Sequence, residues 1–117
     1  MNLDKVSLFD LASKRLQWVS DRQRTIGENI ANSDVAGYRA QEVESFEDYL
    51  KRVEGTATRL GAKITESEST WSDGLSGNNV ILEEQLLEAS SASGQYRMAT
   101  NLYRKAYEMV SIVSSGR

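Results

Sequence analysis

Asn29-Ile30-Ala31-Asn32-Ser33-Asp34-Val35-Ala36-Gly37-Tyr38 stands where a long amphipathic pattern stops. Asn29 and Asn32, three apart, share one helical face and can hydrogen-bond the last backbone carbonyls of a helix. Gly37 supplies a position free to take φ > 0, and Tyr38 can fold back onto apolar surface. The stretch is more specific than an ordinary turn, and it divides the chain into a helix before it and a different organisation after it.

Upstream, the apolar positions run Phe9, Ala12, Leu16, Val19, Ile26 and Ile30, with Gln23 in the one polar slot. Alternating steps of three and four describe a seam of the coiled-coil kind. Asp4 and Asp10 lie where the helix dipole favours negative charge. The pattern predicts a helix over 4–32, roughly 43 Å long at 1.5 Å per residue. Lys14, Arg15, Arg22 and Arg24 read as a solvated helix face.

At the other end, one seam runs Leu82, Leu86, Ala89, Ser93, Tyr96, Tyr103, Tyr107 and Val110. A flanking stripe adds Leu87, Met98, Leu102, Met109 and Ile112. Together they are wider than a two-helix seam needs, which implies contacts with more than one neighbour. Glu83, Glu84 and Glu88 come early and Arg97, Arg104 and Lys105 later, matching the macrodipole. The run Ala89-Ser90-Ser91-Ala92-Ser93-Gly94 would let another helix approach closely, which offsets the roughly 1 kcal/mol cost of a mid-helix glycine. The pattern predicts a helix over 81–114, capped by Asn78 or Asn79.

The segment between changes character. Ser45-Phe46-Glu47-Asp48 resembles a capping box and predicts a short helix over 45–54, ended by Gly55. Residues 56–79 are rich in Ser, Thr, Gly and Glu and read as a flexible loop. Within it Ala62-Lys63-Ile64-Thr65 has strand-forming character but is marginal alone. The expected fold is all-α: a single unit over 1–117 whose two long terminal helices form an extended antiparallel hairpin or coiled coil, joined through 33–79.

Composition removes most chemistry. The 117 residues contain no cysteine and no histidine, so thiolate nucleophiles, disulfides and the commonest metal ligand and general base are absent. No carboxylates pair around a recognisable pocket. Catalytic, cofactor-binding and metal sites are therefore not expected, nor is a small-molecule substrate. The net charge of −3 arises from an acidic excess in the middle of the chain, so no basic surface points to nucleic acid. No apolar run approaches the roughly 18 residues of a membrane span. The N-terminus lacks the basic and uninterrupted apolar regions of a cleaved signal.

The pattern Asn29, Ala31, Asn32, Gly37, Tyr38 resembles the N-terminal signature of bacterial flagellar axial proteins, the rod, hook and hook-associated subunits. Gly77-Asn78-Asn79-Val80-Ile81-Leu82-Glu83-Glu84 is similar to the start of the C-terminal helix in proximal-rod subunits of that family, and Gln95-Tyr96-Arg97-Met98-Ala99 is similar to a later stretch. The likeness covers about 5–50 and 73–115. Where axial proteins usually read Thr-Pro-Gly-Tyr, this chain reads Val35-Ala36-Gly37-Tyr38, and loss of the proline implies a looser turn. Ile81 replaces the Asp that usually precedes Leu-Glu-Glu.

The resemblance implies assembly. Axial proteins pack their terminal helices in the core of a helical tube through heterologous, non-closing contacts. Phe9, Leu16, Val19, Ile26 and Ile30 would then face Leu82, Leu86, Tyr96, Tyr103 and Val110 within or between subunits. Implied partners are other rod subunits and the membrane ring or export-gate adaptor, with self-association and no membrane insertion. The implied location is the periplasmic rod of the basal body, reached by flagellar type III export without a cleaved signal peptide. The alternative is a helical adaptor or export chaperone that binds a partner helix and never polymerises. A secreted Trp-x-Gly hairpin is disfavoured, because Trp71 is followed by Ser72-Asp73-Gly74.

Overall fold

A computed structural model describes residues 2–54, 60–67 and 80–114, with side chains between 7 and 112. Its elements in chain order are α1 (Asn2–Ala31), β1 (Gln41–Val43), α2 (Phe46–Val53), β2 (Ile64–Glu66) and α3 (Leu82–Ser114). α1 and α3 run antiparallel along their lengths. Phe9 meets Tyr103 with ring centroids 5.2 Å apart, Arg22 donates to Gln95 Oε1 at 2.8 Å, and Asn29 donates to Gln85 Oε1 at 3.1 Å. This is the expected helical hairpin with a short middle helix. The radius of gyration is 17.6 Å, against about 13 Å for a compact chain of this length.

Both helices meet through heptads. On α1, Ala12, Val19 and Ile26 are buried; on α3, Gln85, Ala92, Ala99 and Ala106 are buried. Alanine at three successive heptads of the seam lets the helix axes approach closely, since interaxial distance follows the side chains at the contact. The contact line of α3 therefore differs from the expected seam: Leu82, Leu86, Tyr96 and Tyr107 are exposed beside the alanines. Large apolar residues outweigh alanine in a hydropathy pattern, yet the small residues permit the tight approach. On α1 the expected stripe is closer to what forms, with Val19 and Ile26 buried and Phe9, Leu16 and Ile30 half-buried.

The main core cluster lies midway along the hairpin. Trp18, Val19, Tyr49, Val53 and Ala99 are buried together, with Leu16, Val43, Phe46 and Ala62 packed against them. α2 forms because Ser45 caps it: Ser45 Oγ accepts the Asp48 amide at 3.1 Å, and Glu47 with Asp48 complements the first turn. Its buried side carries Tyr49 and Val53 onto α1. Phe46 meets Trp18 edge-on at 5.7 Å, and the Arg15 guanidinium sits 4.7 Å from the Phe46 centroid.

Two short strands complete this layer. β1 pairs antiparallel with β2, Glu42 opposite Thr65. The sequence reading placed strand character at 62–65; the strand covers Ile64–Glu66, and its partner β1 was not anticipated. Gly55, the expected helix stop, and Asn78 and Asn79, the expected caps of α3, lie outside the described residues. The Ile81 carbonyl accepts the Gln85 amide at 3.1 Å, so Ile81 holds the capping position without a side-chain acceptor.

Candidate assembly interface

The end of α1 is built around Asn29. Its side chain is 1% exposed and makes four hydrogen bonds. Nδ2 donates to the Gln41 carbonyl at 2.8 Å and to Gln85 Oε1 at 3.1 Å. Oδ1 accepts the Gln41 amide at 2.9 Å and the Tyr38 hydroxyl at 3.0 Å. Both donors and both acceptor positions of the amide are used. One side chain thus fixes α1 to the turn, to β1 and to α3. The expectation that both asparagines cap carbonyls of α1 holds for Asn32, which donates to the Glu28 carbonyl at 2.8 Å, and fails for Asn29, which faces the interior.

Gly37 takes φ +79°. The Tyr38 amide bonds the Val35 carbonyl at 3.2 Å, so Gly37 occupies the third position of a β-turn, where type II geometry needs positive φ. Nothing stands within 4 Å of where a Cβ at Gly37 would lie, so only the backbone dictates glycine. Tyr38 is half-buried; burial raises its pKa, nearby Glu28 adds to that, and a hydrogen bond with Asn32 opposes it. Ala31 is the exposed last residue of α1.

A second polar tie holds the segment 60–67. Buried Asp21 accepts the Ala62 amide at 2.7 Å, and Glu44 accepts the Lys63 amide at 2.7 Å. Arg52 donates to Glu44 and to the Gly61 carbonyl, at 2.6 and 2.7 Å. Trp18 Nε1 donates to the Glu44 carbonyl at 2.7 Å. The Arg52 hydrogen bond is the main cause that holds the Glu44 carboxyl below its ordinary range; burial opposes it, and the Lys63 amide assists. Neither tie was legible in the sequence, since each joins residues from separate elements.

With the alanine seam closed, α3 leaves apolar side chains on both flanks. Leu82, Leu86, Tyr96 and Tyr107 lie on one flank, with Tyr103 and Val110 half-buried among them. Leu87 and Met98, each 74% exposed, lie outward with Leu102, Met109 and Ile112. A groove of about 550 Å³ runs between the helices on the tyrosine flank, lined by Gln23, Gly27 and Ile30 of α1 and Ala89 and Tyr96 of α3. Glu83 and Glu84 are exposed in the first turn of α3. Of the expected seam, Phe9 and Tyr103 are brought together, whereas Leu82, Leu86 and Tyr96 remain available to another chain. Among the described residues no cluster of three or more acidic side chains could hold a metal ion, and no helix is long and apolar enough to cross a membrane.

Fold and surface together define an elongated helical hairpin whose second helix is only partly covered by the described residues. No family model matches the sequence. The chain is similar to the flagellar basal body rod protein FlgB of Agrobacterium fabrum (strain C58), with 27% identity over 128 aligned positions that cover 93% of each chain.

Proposed function

We propose that this protein is a structural subunit of the proximal rod of the bacterial flagellum. In this reading it assembles with itself and with other rod subunits through α1 and α3, between the membrane ring with its export gate and the distal rod. It is a component of the drive shaft that carries torque to the hook. One observation supports the reading most: an end-to-end likeness to a rod protein coincides with a helical hairpin whose α3 exposes apolar side chains along its length.

The proposed contacts are non-closing, because a patch on one subunit that meets a different patch on the next generates a filament. The outward flank with Leu87 and Met98 and the groove on the tyrosine flank beside Gly27 supply two distinct patches. The Asn29 tie sets how the turn leaves α1, and so directs the middle segment away from the helical tube. Transit through the flagellar type III channel without a cleaved signal belongs to the same reading. A cysteine-free chain with a thin core suits threading in an unfolded state. Catalysis has no part in it.

The test is deletion of the gene in its native host, followed by isolation of hook–basal bodies and a swimming assay. Rings without rod or hook, with swimming restored by the gene in trans, are the expected result. Complete basal bodies and normal swimming would overturn the reading and favour a helical adaptor.

A further inference from the structure

We propose that before assembly the protein forms a closed, two-fold antiparallel dimer through the tyrosine flank of α3, centred between Ser93 and Gly94. The inference goes beyond the rod reading: rod contacts are heterologous and open-ended, whereas this contact uses the same surface on both copies.

The flank is polarised in size. Its C-terminal half carries Tyr96, Tyr103 and Tyr107, and its middle carries Ala89, Ser90 and Ser93. Tyr96 and Tyr107 are exposed, as is Leu86 further towards the N-terminal end. It is also polarised in charge. The outer rim at seven-residue spacing reads Glu83, Ser90, Arg97, Arg104, all exposed. Among the described residues Arg97 donates a hydrogen bond to the Ser93 hydroxyl at 3.5 Å, and neither it nor Arg104 forms a salt bridge.

These polarities select one occupant and one direction. A parallel copy would stack tyrosine on tyrosine and set Arg97 and Arg104 beside their own images, a repulsive arrangement. An antiparallel copy turned about the Ser93–Gly94 point sets Tyr96 level with Ser91, within the run of small residues, and Tyr103 level with Glu84, so no tyrosine meets its own image and Tyr96 packs large against small. Glu83 and Arg104 lie equally far on either side of that point, so two symmetry-related ion pairs close the ends. Tyrosine and arginine are the residues that carry most energy at interfaces. On the rod reading all subunits of the tube point the same way, so the antiparallel dimer is a stored form that must open before a subunit adds.

Ser93→Cys tests the geometry directly, since the chain has no native cysteine. Mild oxidation of the purified protein should give a disulfide-linked dimer. Thr100→Cys should not, because its two copies would lie about 20 Å apart along the antiparallel helices. Sedimentation equilibrium should show Arg104→Glu weakening the dimer roughly tenfold, and Glu83→Arg combined with Arg104→Glu restoring it. Circular dichroism of each variant confirms that the hairpin is folded. A monomer at the highest soluble concentration overturns the proposal. So does cross-linking of Thr100→Cys as readily as Ser93→Cys, or a charge swap that fails to restore association. All of these use purified protein and stand apart from rod assembly in the cell.

Discussion

Truncating Asn29 to alanine removes four hydrogen bonds and leaves the Gln41 peptide groups and the Gln85 amide without their buried partner. The expected loss is about 2–3 kcal/mol in urea unfolding, since buried groups stripped of partners retain their desolvation cost. A loss under about 0.5 kcal/mol would show that water replaces the tie. In the turn, Gly37→Val should cost roughly 1–2 kcal/mol through positive φ alone. Ala36→Pro should instead stabilise by about 0.4–1 kcal/mol, because the second position of a type II turn favours proline and the Ala36 amide has no hydrogen bond in the turn. A destabilised Ala36→Pro would refute the turn assignment. Glycine at 37 was readable because few residues tolerate that backbone. The partners of Asn29 were not, because Gln41 and Gln85 approach it only after the chain has folded.

The pairing of helices and strands is governed by small residues and by two carboxylates. Ala99→Leu should destabilise by about 1–3 kcal/mol through overpacking of the seam. Ser13 is buried on α1 and its hydroxyl has no partner among the described residues, so Ser13→Ala should stabilise by about 1 kcal/mol. Glu44 gives the sheet a pH dependence. Its folded pKa is lowered by Arg52, so its contribution is present above the ordinary carboxylate range and is lost as pH falls through that lowered value. Hydrogen exchange of the β1–β2 amides should accelerate in that acidic window, and Glu44→Gln should flatten the dependence. An unchanged profile in the variant would assign the effect elsewhere. The helix spans 4–32, 45–54 and 81–114 were legible because periodicity and a serine cap act locally, and the observed bounds fall within two residues of them. β1 was not legible, since Gln41-Glu42-Val43 is a strand only by virtue of its partner. The alanine seam was present in the sequence at 92, 99 and 106, but alanine contributes little weight to an apolar pattern.

The whole molecule is a rod 63 Å long and 25 by 16 Å across. Such a shape buries little per residue and leaves α3 with a surface that a compact chain would cover. The candidate interface was partly legible: the excess width of the apolar face on α3 was readable, but which residues α1 would take was not. That division makes folding and assembly separable. Leu86 is 53% exposed, so Leu86→Asp should change monomer stability by less than about 0.5 kcal/mol. In a packed interface the same substitution buries an unpaired charge, which assembly should not tolerate. The decisive measurement is electron microscopy of basal bodies from a deletion strain carrying either the native gene or Leu86→Asp at equal expression. Rods should be complete with the native gene, with membrane rings alone in the deletion strain and in the variant. Complete rods in the deletion strain itself, with swimming intact, would contradict the proposal that this hairpin is a rod subunit.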